Sequence, residues 1–236
     1  MTRHSTGAAA IALLALVLAG CGDGDGGDGS APTQDAQTSA PADTQETEPA
    51  EAESPAPTVD DLAALMLVPE DFPTAGWELL SSGPGDDSGT GGVCAFDFDE
   101  AVAADAPEAE ASFTNNALMT FATQGLVQVP DAEAVLAGIL GELEGCVGQT
   151  EATDGDTTAL ITSEPLQLAV PGAPVSGCRY AESIVDGTPL YGPFCFGASG
   201  DRMLMFAALS PDPNGGITPE ELTTVLTAAT AKAFTG

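Results

Sequence analysis

The chain has 236 residues, with 36 Asp and Glu against four Lys and Arg, for a formal net charge of −32 at neutral pH. Nucleic-acid binding needs cations to neutralise phosphates, so this balance excludes it, along with a basic-patch grip on polyanions or anionic lipid. The only histidine, His4, lies in a leader that is expected to be removed. The mature chain then has no imidazole for Ser-His-Asp or Cys-His catalysis, for His-ligated zinc, or for a general base near neutral pH.

Residues 1–20 divide into a short polar start with Arg3, an apolar run Ala8–Gly20, and the sequence Leu18-Ala19-Gly20-Cys21. The run is too short for a membrane-spanning helix, which takes about 20 residues, and has the layout of a secretory signal peptide. Leu-Ala-Gly-Cys resembles a bacterial lipobox. That resemblance implies diacylglycerol on the Cys21 sulfur, cleavage before it, often a third acyl chain such as palmitate, and a lipid-anchored position on the extracytoplasmic face of the cell membrane. Two or three acyl chains give stable anchoring where one gives only marginal binding.

Gly22–Pro57 holds no Leu, Ile, Val, Phe, Tyr or Trp, and carries nine carboxylates and no cation. Such a segment cannot bury enough apolar surface to offset its ordering entropy. Residues 21–57 therefore read as the lipidated cysteine followed by a disordered acidic linker, about 30–36 Å long as a flexible coil. The string "DGDGGDG" invites comparison with a calcium loop. Position twelve counted from Asp23 is Gln34 rather than a bidentate Glu, and no helical pattern flanks it. The expectation is a tether with no metal. Asp97-Phe98-Asp99-Glu100 and Asp154-Gly155-Asp156 are weaker cation candidates and lack a fuller ligand pattern.

The folded part is expected to span 58–236, with 27 carboxylates against Arg179, Arg202 and Lys232, a net charge of −24. Thr58-Val59-Asp60-Asp61 opens a short helix to about Met66 with a capping-box pattern. Gly76–Ser81, around the sole tryptophan Trp77, predicts a strand. "VCAFDF" after the glycine-rich 83–92 stretch predicts another, and Ser112–Val129 one or two more. Asp131–Gly145 has helical spacing, with Val135, Leu136, Ile139, Leu140 and Leu143 on one face and Cys146 continuing it. Asp156–Ser163 and Leu166–Val170 are further strand candidates.

"CRYAESIVDGTPLYGPFC" reads as a hairpin closed by Asp186-Gly187, the favoured two-residue turn. Val185 then faces Thr188, Ile184 faces Pro189, Tyr180 faces Pro193, and Cys178 faces Cys195. The cysteine pair falls at a non-hydrogen-bonded position, where Cα atoms approach most closely. Both prolines share that parity, so neither is asked for an N–H toward its partner. The register predicts a Cys178–Cys195 disulfide and leaves Cys94 to Cys146, a bond closing a loop of about 50 residues and worth about 3–4 kcal/mol. Neither pair has CxxC spacing, which disfavours redox catalysis and a zinc ribbon.

"MLMFAALS", 203–210, is apolar at almost every position and predicts a buried central strand. Thr218-Pro219-Glu220-Glu221 opens a terminal helix with N-cap, proline at N1 and capping box, its apolar face being Leu222, Val225, Leu226 and Ala229. The expected class is α+β: a single domain with a mostly antiparallel sheet packed by helices.

"LMLVPEDFPTAGW", the strand–helix unit ending at Cys146, the cysteine-bracketed hairpin, the apolar strand and the last helix, in that order, resemble a known exported family. It comprises the extracellular sensor domains of mycobacterial serine/threonine receptor kinases of the kinase H type and related actinobacterial lipoproteins. The resemblance covers about 65–236. It implies two disulfides on an α/β sheet and a cleft proposed to bind an unidentified ligand. The sequence holds no kinase domain, and no tryptophan precedes Cys146 where the resemblance leads one to expect it.

The leading expectation is a lipid-anchored envelope lipoprotein with no cofactor, whose domain binds a small-molecule or lipid ligand as a sensor or carrier. Tyr180, Tyr191, Arg179 and Arg202 are the candidate cleft residues. Strand packing for the tyrosines and ion pairing for the arginines are the plainer roles. One alternative is a non-catalytic protein-interaction or envelope-structural module. Another is a carboxylate-dependent hydrolase, although no nucleophile elbow, phosphate loop or other catalytic motif supports an enzyme.

Overall fold

A computed structural model describes residues 57–85, 102, 106–145, 149–154, 157–185 and 187–235. The leader, Cys21, the acidic linker, Cys94, Cys146 and the Asp97–Glu100 cluster lie outside them, and so does the expected Cys94–Cys146 bond.

Helix α1, Val59–Ala63, starts where the sequence calls for it. The Asp61 backbone N–H donates to Thr58 Oγ1 at 3.3 Å, and Thr58 N donates back to the Asp61 carboxylate at 2.8 Å. The Thr58 backbone N–H, and with it the Thr58 hydroxyl at 2.7 Å, donates to the Asp61 carboxylate and holds that carboxyl below its ordinary range. A 3₁₀ turn, Pro69–Asp71, leads to strand β1, Trp77–Pro84. The remaining strands are β2 Glu108–Asn115, β3 Thr120–Gln128, β4 Gln149–Asp154, β5 Thr157–Leu166, β6 Val175–Val185, β7 Thr188–Ser199 and β8 Arg202–Leu209. Helix α2, Ala132–Glu144, lies between β3 and β4, and helix α3, Pro219–Phe234, closes the chain.

The eight strands form one antiparallel sheet in the order β1-β2-β3-β8-β7-β6-β5-β4. Two meanders, β1–β3 and β4–β8, meet where β8 returns to pair with β3, Gln124 opposite Phe206. With helices on both faces, β8 has no solvent side, and Leu204 and Phe206 on one face and Met203 on the other are all buried. This is the physical reason its sequence is apolar without alternation. The architecture is α+β.

Alternation along the strands sorts the core into two layers. On one face Leu136, Ile139 and Leu143 of α2 pack with Phe194, Phe196, Met203 and Leu209. On the other, Leu222, Val225, Leu226 and Ala229 of α3 pack with Leu62, Phe72, Trp77, Phe113, Leu204 and Phe206. Phe72 stacks on Trp77 with centroids 4.3 Å apart and meets Phe113 at 5.0 Å, which pins the segment before β1 onto the sheet.

Ser112–Val129 resolves into two strands, β2 and β3, with the turn 116–119 between them. The Leu166–Val170 strand is corrected. Strand β5 ends at Leu166, and beyond it Leu168 N turns back to the Leu166 carbonyl at 2.8 Å. Pro165 sits inside β5 because β4 pairs only with Thr157–Thr162, so its missing N–H interrupts no ladder on that side. Strand β4 has no counterpart among the expected elements, since "QTEATD" shows no apolar alternation.

Candidate functional site

The β6–β7 hairpin has the register expected from its sequence. Val185 pairs with Thr188, Ile184 with Pro189, Tyr180 with Pro193 and Cys178 with Cys195. Gly187 takes φ +78° in the turn, a conformation glycine adopts without strain. The two cysteines are joined, with Cα atoms 4.1 Å apart.

This register decides which candidate residues can meet. Paired residues share a face, so Tyr180, Glu182, Tyr191 and Pro193 project on the α3 side together with Cys178 and Cys195. On β5, Glu164 stands opposite Tyr180 and Thr162 opposite Glu182. Arg179, between Cys178 and Tyr180 in sequence, must point the other way. The four candidates therefore do not converge.

Arg179 is buried on the α2 side, where its Nε donates to Ser163 Oγ at 2.9 Å and its Nη2 to the Ser163 carbonyl at 3.1 Å. Burial lowers the proton affinity of its guanidinium. Arg202, at the start of β8, donates from Nη1 to the Ala233 carbonyl at 2.7 Å and so caps the C-terminal end of α3. The third cation, Lys232, pairs with Asp71 and donates to the Met66 carbonyl at 3.3 Å. Each cation of the domain thus holds the fold together.

The tyrosines remain as a pair on adjacent strands in diagonal register, a spacing of about 7–8 Å that aromatic side chains bridge. Tyr180 is 37% exposed, and its hydroxyl donates to the Pro213 carbonyl at 3.1 Å. Tyr191 is half-buried, and its backbone exchanges two hydrogen bonds with Ser210 at 2.8 and 2.9 Å. The 211–216 loop, between β8 and α3, therefore borders the tyrosines at one side. Within it Asp212 Oδ1 accepts from Asn214 N at 2.9 Å. Burial raises the Tyr180 phenol above its ordinary range, and Tyr191, Asp212 and Glu182 add to the effect electrostatically. Glu164 and Glu182 are exposed.

On this face of the sheet Tyr180 and Tyr191 form a shelf, flanked in register by Glu164 and Glu182 and through the loop by Asp212. The acidic members are absent from the sequence expectations. Glu182 and Glu164 were within reach of the same alternation that places Tyr180. Asp212 arrives through a loop and gives no such signal.

No family model matches the sequence, and no curated protein matches it. Among solved structures, the chain is similar to the extracellular domain of PknH from Mycobacterium tuberculosis. The superposition covers 75% of this chain and 96% of that one, with a TM-score of 0.56 and 12% sequence identity. At that identity the likeness is one of fold, and it matches the family resemblance read from the order of elements and cysteines. The described domain shares its fold with the extracellular domain of mycobacterial PknH.

Proposed function

We propose that the chain is a lipid-anchored cell-envelope protein whose extracytoplasmic domain binds a small ligand on the Tyr180–Tyr191 shelf, in a sensor-like or carrier-like role without catalysis. The carrying observation is the shelf itself. Its aromatic floor is left open, and Tyr180 is fixed by Pro213 rather than sunk into either core. A partly exposed aromatic with a tethered hydroxyl suits recognition, since little side-chain entropy remains to be lost on binding.

Three features support the setting. Leu18-Ala19-Gly20-Cys21 has lipobox spacing, the Cys178–Cys195 bond suits an oxidising compartment, and the fold is that of an extracellular domain. Among the described residues, no helix is long and apolar enough to cross a membrane. Anchoring is assigned to lipid on Cys21 from the lipobox resemblance. The proposed layout is a signal peptide at 1–20, a lipidated cysteine and tether at 21–57, and the domain at 58–236.

A second reading, a protein-interaction module, has its own observation. Leu79 and Leu80 lie on the edge strand β1, exposed by 45% and 40% beside an irregularity in the β1–β2 register. Native mass spectrometry of the protein purified from its own envelope separates the two. A ligand adduct that disappears in a Tyr180→Ala/Tyr191→Ala variant supports the shelf. A protein partner lost with Leu79→Asp supports the second reading.

A further inference from the structure

We propose that the shelf takes an organic cation, a quaternary or protonated alkylamine group, seated over the two tyrosine rings. This rests on the shelf being a binding surface and adds the charge class of its occupant.

Charge complementarity at the shelf favours a cation. Every charged side chain placed at the shelf is a carboxylate: Glu164 opposite Tyr180, Glu182 opposite Tyr191, and Asp212 in the bordering loop. The domain has only three cations, and each is engaged elsewhere. Arg179 is on the opposite face at Ser163, Arg202 is at the end of α3, and Lys232 is at Asp71. An anionic ligand would find no counter-charge and three repulsive groups. Binding anything negative here is strongly disfavoured.

Coordination chemistry separates an organic cation from a metal ion. A hard divalent cation needs several oxygens gathered at 2–2.6 Å. Among the described residues, no three His, Cys, Asp or Glu side chains are gathered to hold one. The shelf's carboxylates instead stand in register beside two aromatic residues, Glu164 opposite Tyr180 and Glu182 opposite Tyr191. A diffuse cation gains from both the negative ring faces and the neighbouring carboxylates, without the tight coordination a metal requires.

Tyr180 is also pre-organised. The Tyr180 hydroxyl is fixed to the 211–216 loop, and the disulfide two residues back fixes β6 against β7. The ring is therefore held in place before any ligand arrives.

Three probes of one shape and different charge provide the test: choline, its neutral isostere 3,3-dimethylbutan-1-ol, and the anion 3,3-dimethylbutanoate. The full-length protein in non-ionic detergent, with ring-labelled tyrosine, is titrated with each while its two tyrosine signals are followed by NMR. Choline is expected to produce saturable shifts at both rings with an affinity at least about fivefold tighter than the neutral isostere. The anion is expected to produce none. A Glu182→Gln/Asp212→Asn variant, which retains both rings, is expected to weaken choline binding about fivefold or more while leaving the alcohol unaffected.

Equal binding of choline and the alcohol overturns the cationic assignment and leaves the shelf as a binding surface. Absence of any saturable shift with choline overturns the assignment as well. The shelf itself is then judged by whether the envelope-purified protein carries an adduct lost in Tyr180→Ala/Tyr191→Ala.

Discussion

Cys178 and Cys195 stand directly opposite each other on β6 and β7, with Cα atoms 4.1 Å apart and a bond between them. The bond encloses the turn at Gly187 and locks the two strands that carry Tyr180 and Tyr191. Replacing both cysteines with serine is expected to destabilise the domain by about 3 kcal/mol, the chain-entropy value for a loop of this length. Urea unfolding monitored by circular dichroism measures it. Non-reducing peptide mapping should recover the 178–195 link, and a 146–178 link would contradict the register.

The register was legible because three features depend on one parity: the Asp186-Gly187 turn, the opposed cysteines and the two prolines. The terminal helix was legible for a similar reason, since Thr218, Pro219 and Glu221 each specify the same start. Strand β4 was not legible, because "QTEATD" has no apolar alternation to mark it. The candidate site was half legible. Alternation alone places Arg179 opposite to Tyr180, whereas chemistry alone groups all four candidate residues without regard to face. The capping role of Arg202 depends on α3 ending beside the start of β8, a long-range packing fact.

Pro193 explains a local feature of β7. Its missing N–H faces β8, and the β7–β8 ladder skips 192 and 193 between Phe194–Ala207 and Tyr191–Ser210. At Gly192 the β8 backbone comes so close that an added Cβ would lie 1.8 Å from the Ala208 carbonyl oxygen. Gly192→Ala is therefore expected to force the strands apart and cost about 1–3 kcal/mol or more. Urea unfolding checks this, with Gly138→Ala in α2, where a Cβ meets nothing within 4 Å, as the control. The control should be neutral or slightly stabilising.

Arg202 donates to the last turn of α3 through the Ala233 carbonyl. Arg202→Met keeps the apolar stem and removes the cap, which should cost about 1–2 kcal/mol. Amide hydrogen exchange is expected to accelerate at 231–235 before the rest of the helix. Uniform acceleration along α3 would instead indicate loss of packing.

The chain holds only two tyrosines, so alkaline absorbance titration reads the shelf directly. Tyr180 should ionise above its ordinary value of 10.0 because burial and the nearby Tyr191, Asp212 and Glu182 favour its neutral form. A pKa raised in the fold gives stability that is complete below the unfolded value near 10. That contribution is lost as pH rises through the folded value. Glu182→Gln should move the Tyr180 transition downward, and an unchanged transition would contradict the electrostatic contribution.

Thr74 donates to the Glu221 carboxylate, the first cause of that carboxyl lying below its ordinary range. Thr74→Val should raise the Glu221 pKa. A depressed carboxyl contributes stability above its unfolded value that is lost as pH falls through the folded one. The variant should therefore lose stability chiefly at neutral pH and converge with the native protein in acid. Urea midpoints across the acid range measure this, and a constant difference would contradict the linkage.

The central claim is that the open Tyr180–Tyr191 face is where the domain meets its ligand. Backbone-amide NMR of the full-length protein in detergent, before and after addition of its own envelope extract, tests this most directly. The account predicts that the shifts concentrate at 162–164, 180–184, 189–193 and 211–216, and disappear in Tyr180→Ala/Tyr191→Ala. Shifts confined to the α2 side, or to the β1 edge around Leu79 and Leu80, would contradict it.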